Sequence, residues 1–275
     1  MLPSRSSDAI SPTAHYTGYI WARNGLSHPE LETREGRVLF EAVRPAMIFS
    51  SAVGSGTLEA YLMARHVAID NVLTRAIEER GISQVLEIAC GMSPRGWRFS
   101  ERYGERLTYI EADLPAMAAR KRQALERMGS LSDRHRVIDL DVLADGAIAR
   151  AVAGLDRSAG LAVITEGLLG YLPTDAVEEI WRRLAAVLSE FEANRYIAEL
   201  HLSSIQTPVI RGFRLVLSAF VRGRVYLHYA SEDEARRALT AAGFTNVSIE
   251  LATDLAPGRG GSGSRLVHII EASTV

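Results

Sequence analysis

The chain has 275 residues, 47% hydrophobic and 23% charged, with a formal net charge of −2. It is long enough to bury a sizeable core without metals or disulfides, and it lacks the basic excess that a nucleic-acid partner selects. Its one cysteine, Cys90, excludes an intramolecular disulfide and a cysteine-built metal site, and suits a reducing, cytoplasmic setting.

Met1 to Ser11 lacks the apolar stretch of a secretory signal, and no run approaches the roughly 18 apolar residues of a membrane helix. A cytoplasmic protein without a membrane partner is therefore expected. Up to about residue 80 the apolar residues recur at helical spacing, at Val38-Leu39-Phe40 and Val43, then along Leu58 to Arg80, which Gly81 closes. From Gln84 the pattern becomes short apolar runs alternating with helices. Strands are expected at 85–89, 107–110, 136–138, 161–165 and 196–200. Helices are expected at 114–128 and 174–191, the second with Trp181, Leu184 and Leu188 on one face. Residues 201–230 interrupt the alternation. Ser231 with Glu234 then forms a plausible capping box for a helix to Ala242, and strand-like runs at 247–251 and 266–272 close the chain. The Gly/Ser-rich piece from Pro257 to Ser264 between them reads as a hairpin-type loop.

This alternation predicts an α/β fold, a doubly wound, mostly parallel sheet of seven strands whose last strand is inserted antiparallel. Residues 1–80 would form an N-terminal helical cap of the same domain, and 81–275 the core, with a further cap inserted at about 201–230.

Four strand ends carry the chemistry. Glu87-Ile-Ala89-Cys-Gly91 closes the first strand, and a glycine there lets backbone approach a ligand at a helix N-terminus. The plain alternative is a tight turn at Gly91 with Glu87 capping something nearby. Glu111-Ala-Asp113 follows about 20 residues later, where a carboxylate can accept from both hydroxyls of a ribose, unless these are solvated loop acids. Asp139-Leu140-Asp141 and Thr165-Glu166-Gly167 close the third and fourth strands. Acids or glycines at four successive strand ends make a sharper pattern than any one of them.

Several segments together resemble the leucine carboxyl methyltransferase family, and more closely its bacterial branch of tetracenomycin-type polyketide carboxyl O-methyltransferases. They are Ile10 to Trp21 (ISPTAHYTGYIW), Asn24 to Ser27 (NGLS), Leu86 to Gly96 (LEIACGMSPRG) and Glu166 to Leu172 (EGLLGYL). The resemblance runs from about Ser11 to Leu200. It implies a class I methyltransferase fold with a helical cap and S-adenosylmethionine (SAM) as cofactor. It also implies that Arg65 holds the methionine carboxylate, that Gly91 approaches the methionine portion, and that Asp113, with Glu111 as second choice, holds the ribose. Asp139 and Leu140 would hold the adenine, and Glu166 would lie near the amino group or sulfonium. The chain departs from the family's wider pattern at Ala89, where glycine is usual, and at Ser93-Pro94, where Asp-Thr is frequent. The added methyl at Ala89 is expected to push a ligand slightly outward.

The reaction implied is methyl transfer to an oxygen of a small-molecule acceptor. A carboxylate acceptor is already ionised and needs no base, whereas a phenol of pKa about 10 benefits from one. His15, Tyr16, Tyr19, Tyr171 and His201 are the substrate-pocket candidates, with Trp21 and His228 beside them; packing or structural hydrogen bonding is the alternative for each. Arg211, Arg214, Arg222 and Arg224 in the interruption are candidates for reading an acceptor carboxylate or a carrier phosphate, against a solvated helix face. Cys90 is expected to pack behind the glycine turn. Three competing functions stand beside this one: methylation of a protein or peptide C-terminus, a nicotinamide-dependent oxidoreductase, and non-catalytic cofactor binding. The spacing Ala89, Gly91, Gly96 does not match the G-x-G-x-x-G that a pyrophosphate requires.

Overall fold

Three helices precede the first strand in the computed structural model, which describes residues 12–52, 58–204, 226–257 and 267–275. They are α1 (Pro12–Arg23), α2 (Arg34–Ala52) and α3 (Leu58–Glu79). α3 ends just before Gly81, whose φ of +71° is a left-handed conformation that glycine adopts without a Cβ clash.

Seven strands follow: β1 (Ile82–Ile88), β2 (Thr108–Asp113), β3 (His135–Asp139), β4 (Gly160–Thr165), β5 (Asn194–Leu200), β6 (Asn246–Leu251) and β7 (His268–Ser273). They form one sheet in the order β3-β2-β1-β4-β5-β7-β6. The pairings from β3 to β5 are parallel, and β7 lies antiparallel between β5 and β6. The chain winds outward one way from β1 through β2 to β3, then returns to β4 on the other side. That reversal opens a crevice at the carboxyl ends of β1 and β4, where open α/β sheets take ligands.

Helices cover both faces, so β4 is buried along its whole length and its sequence, GLAVIT, shows no polar alternation. On one face Leu86 and Ile88 of β1 pack with Trp181, Leu184 and Leu188 of α7 (Thr174–Leu188), the helix stripe expected from spacing. On the other face Val85 packs with Ile69 and Leu73 of α3. Each such side chain contributes about 1.5–3 kcal/mol by leaving water. α4 (Arg95–Tyr103), α5 (Pro115–Arg127) and α6 (Ala147–Ala151) complete the crossovers.

The seven-stranded sheet and its antiparallel last strand agree with the sequence reading, with bounds shifted by a few residues. The helix Glu232–Ala242 does begin in a cap: Ser231 Oγ accepts from Glu234 N at 3.2 Å, and Glu234 Oε2 accepts from Ala230 N at 2.7 Å. The return bond lands one residue earlier than a standard capping box. A short helix, Ala252–Leu255, follows β6 directly where only a loop is expected. Most of that loop (258–266) and the core of the interruption (205–225), including Arg211, Arg214, Arg222 and Arg224, lie outside the described residues.

α1 lies across the turn that follows β1. A Cβ on Gly91 would sit 3.1 Å from Ala14 Cβ, and one on Gly18 would sit 3.0 Å from Met92 Cβ. Behind the same turn, Gly96 of α4 rests on the Glu111 side chain so closely that a Cβ would overlap the carboxylate. Gly96→Ala is therefore expected to destabilise the protein by about 2–3 kcal/mol, through overpacking against a buried ion pair. Urea unfolding measures it, and a loss below about 0.5 kcal/mol would contradict this packing.

Candidate functional site

Sheet register brings the predicted strand ends level. Asp113 pairs with Asp139, Ile88 with both Ala112 and Thr165, and Thr165 with Ala198. One residue further along, Asp139, Asp113, Ala89, Glu166 and Glu199 form a row across five strands at the carboxyl edge. Acids occupy every position but the central one, where the chain turns.

That turn is unusual in conformation. Gly91 has a φ of +51° and Ala89 a φ of +57°, the one non-glycine residue with a left-handed backbone among the described residues. Asp113 fixes it: Oδ2 accepts from Gly91 N at 2.7 Å, and Oδ1 accepts from Leu114 N at 2.8 Å. Burial pushes the Asp113 carboxyl above its ordinary range against these two donors and Lys121. From behind, the buried Lys121 ammonium donates to Ser93 O and pairs with Glu111 at 2.5 Å. Glu111 also meets His135 Nε2 at 2.7 Å and is fully buried, so it supports the turn and does not face the row's open side. Cys90 is free and buried, which raises its thiol pKa and leaves it a packing residue.

Beneath the turn lies a dense ionic cluster. Arg95, with no exposed surface, sends Nε to Asp70 Oδ1 at 2.6 Å, Nη1 to Glu87 Oε1 at 2.6 Å and Nη2 to Glu166 Oε2 at 2.5 Å. Tyr109 OH donates to the second Glu87 oxygen at 2.6 Å, so both oxygens of Glu87 are taken and none faces the edge. Arg65 Nε donates to Glu166 Oε1 at 2.9 Å, and a Cβ on Gly167 would lie 3.6 Å from Arg65 Nη2. His66 Nδ1 stands 3.0 Å from Glu166 Oε2. Burial alone would raise the Glu166 pKa, but His66, Arg95 and Arg65 together hold it well below the usual carboxylate range. Arg65 and Glu166 thus stand side by side as a guanidinium and a carboxylate.

At the β3 end, Leu140 is buried whereas Asp139 is exposed and pairs with Arg122 at 3.1 Å. Both line a recess of about 240 Å³ with Ile138, Asp141, Ala147 and Ala151. A larger groove of about 480 Å³ runs between α3 and α4, past Asn71, Thr74 and Trp97. Its cations Arg98 and Arg102 are already paired with Asp70 and Glu78, so it offers no free charge to a ligand.

The expected pocket residues divide. His15 Nδ1 bonds Thr33 Oγ1 at 3.0 Å and is buried, so it ties α1 to the start of α2. Tyr16 and Tyr19 pack on Phe40, with centroids at 6.3 and 5.2 Å, and burial pushes the Tyr16 hydroxyl up to about 12. Trp21 stacks on His66 at 4.5 Å. His228 spends both ring nitrogens on Thr174 Oγ1 and Leu169 O. Tyr16, Tyr19 and Trp21 thus make ring contacts among the N-terminal helices, while His228 is tied by hydrogen bonds to the loop after β4 and the start of α7. Tyr171 OH donates to Thr13 Oγ1 at 3.2 Å, joining α1 to the loop after β4. His201 follows β5, stacks on Tyr61 at 5.6 Å and keeps a buried Nε2 without a partner. Sequence reasoning missed Arg95, Asp70, His66 and Glu199. The signal for Glu199 was available, since it is the one acid within the last two residues of the expected strand 196–200.

Residues 35–185 match the family described as leucine carboxyl methyltransferase. A Mycolicibacterium gilvum protein provisionally named as an S-adenosyl-L-methionine-dependent methyltransferase is 33% identical over 145 residues, 52% of this chain and 45% of its own length. One of the same description from Streptomyces coelicolor is 31% identical over 165 residues, 60% of this chain and 53% of its own. The chain spans about half the length of the curated relatives it matches. A crystal structure from Thermobifida fusca, also provisionally titled a methyltransferase, superposes with a TM-score of 0.70 over 99% of this chain and 98% of that one, at 14% identity. That likeness shows the fold.

The Arg95 cluster makes a direct prediction. Arg95→Met leaves three buried carboxylates without their shared cation and is expected to cost about 3–5 kcal/mol. The loss should be larger at pH 8 than at pH 5, because acid protonates the stranded carboxylates. Urea midpoints at both pH values measure it, and a loss under about 1 kcal/mol at pH 8 would contradict the arrangement.

Proposed function

The chain belongs to the leucine carboxyl methyltransferase family, and we propose that it is a SAM-dependent O-methyltransferase acting on a small molecule. The observation that carries this reading is the level row of strand-end acids around a turn with two left-handed residues.

The groups present fit the cofactor part by part. The Arg65 guanidinium, which gives only Nε to Glu166, complements the carboxylate of the methionine portion, and Glu166, already bonded to Arg65, Arg95 and His66, adds negative potential beside its ammonium. Gly91 brings backbone close without a side chain. Asp113 keeps acceptor capacity beyond its two backbone donors, which suits ribose hydroxyls. The recess beside Asp139 and Leu140, which mixes Ile138, Leu140, Ala147 and Ala151 with acidic side chains, suits the faces and polar edge of an adenine ring. When bound, SAM supplies a sulfonium methyl that is already strongly electrophilic, so placement is most of what the protein must provide. Arg95 and Lys121 provide it indirectly, by holding Glu166 and the 89–93 turn in place. α1 covers the turn and Tyr171 ties it down, which keeps water from the same edge.

Among the described residues, no helix is long and apolar enough to cross a membrane, and no group of His, Cys, Asp or Glu is placed to hold a metal. The resemblance of Ile10 to Trp21 and of the ACGMSPRG turn to the bacterial polyketide branch supports a polyketide-type acceptor.

Calorimetry with S-adenosylhomocysteine tests the reading. Wild type is expected to bind it. Arg65→Ala and Asp113→Ala should each weaken binding by about 10- to 100-fold, the loss of one charge-assisted hydrogen bond. Undiminished affinity in both variants would contradict the assignment.

A further inference from the structure

The row of strand ends continues past Glu166 to a carboxylate that the proposed cofactor does not use. Glu199 lies one strand further on, at the end of β5, roughly 4.8 Å along the sheet. It is 2% exposed. Asp70, Glu87, Glu111 and Glu166 are also buried, and each touches an arginine or lysine. Glu199 alone among the buried carboxylates of the described residues touches no cation. Its two oxygens share the single N–H of Gly167, at 2.9 and 3.0 Å. A carboxylate offers about four acceptor positions, and burying its charge with one shared donor is costly. A structural role would be served as well by an amide, so the carboxylate needs another explanation. Two positions on, the unpartnered His201 Nε2 projects from the same side of the strand.

We propose that Glu199 accepts the proton of a hydroxyl on the methyl acceptor, so that the acceptor is a phenol or enol and not a carboxylate. This rests on the methyltransferase reading above. The acceptor oxygen bonds the methyl carbon as the carbon–sulfur bond breaks and its electron pair stays on sulfur. The hydroxyl proton passes to a Glu199 oxygen and later to water. The sulfonium charge and the carboxylate charge disappear together.

Position and proton affinity agree. Burial pushes the Glu199 carboxyl up to about 7, with Arg65, the Gly167 N–H and its own backbone N–H opposing and Glu166 adding to the rise. The ionisable groups around it are Arg65 from α3, Glu166 from the β4 end and Tyr171 from the loop beyond, with Tyr196 on the opposite face of its own strand. A base of that strength is partly ionised at neutral pH and can take a phenolic proton. A carboxylate acceptor needs no base and would meet a further negative charge here.

Sinefungin, which carries an ammonium where the transferred methyl would stand, provides a readout independent of turnover. Glu199 ionises as pH rises through about 7, so sinefungin should gain roughly tenfold over S-adenosylhomocysteine between pH 6 and pH 8 in wild type. Glu199→Gln keeps an acceptor for Gly167 N and should abolish that gain while holding S-adenosylhomocysteine affinity within about twofold. With labelled cofactor, transfer to 2-naphthol should fall at least about a hundredfold in the same variant. A sinefungin gain that is absent in wild type, or survives in Glu199→Gln, overturns the proposal. So does transfer to 2-naphthoate at equal rates in both proteins. Failure of every form to bind S-adenosylhomocysteine overturns the methyltransferase reading instead.

Discussion

One guanidinium organises the carboxyl edge of this sheet. Arg95 gives each of its three nitrogens to a different carboxylate, on α3, on β1 and on the loop after β4. A lysine cannot do this, because a single ammonium has no planar fork to span three directions. Isolated buried ion pairs add little net stability, since desolvation offsets the attraction. What such a cluster does well is fix relative positions. Here it sets the cap helix α3, the central strand and Glu166 at one distance from each other, and Arg65 completes the same unit from the next turn of α3.

A second buried pair does the corresponding work for the turn. Lys121 holds Ser93 O and Glu111 together, and Gly96 leaves no room for Glu111 to move. Between these two supports runs a backbone with two consecutive demands for positive φ, at residues 89 and 91. Gly91 meets its demand freely. Ala89 costs about 1–2 kcal/mol, the usual penalty for a side chain in this region. The residue differs from the family's usual glycine, yet its backbone conformation is one that glycine favours. The surrounding ionic supports over-determine the turn, which lets that strain persist.

The sheet was largely legible in the sequence because β1, β2, β4 and β5 are buried over nearly their whole length and read as compact apolar runs between helices. The candidate ends at Asp113, Asp139 and Glu166 were legible because each acid directly closes such a run. Glu87 and Glu111 follow the same pattern, but the structure turns both inward to Arg95 and Lys121, and spacing along one strand cannot reveal a partner on another element. Arg95 appears in sequence only as one more charge in a turn, and Asp70 and His66 as charges on a helix, so their convergence was invisible. His15, Tyr16 and Tyr19 were singled out by residue type and by their place in the family-like N-terminal segment, and neither reveals their contacts with Thr33 and Phe40, which lie on other elements.

Hydrogen–deuterium exchange with and without S-adenosylhomocysteine tests the central claim, that the carboxyl edge held by Arg95 and Lys121 is the cofactor site. Protection is expected together in the segments around 89–93, 113–117, 139–142 and 166–170, and in α1 above them. Protection confined to the groove between α3 and α4, or no change at these four strand ends, would contradict it.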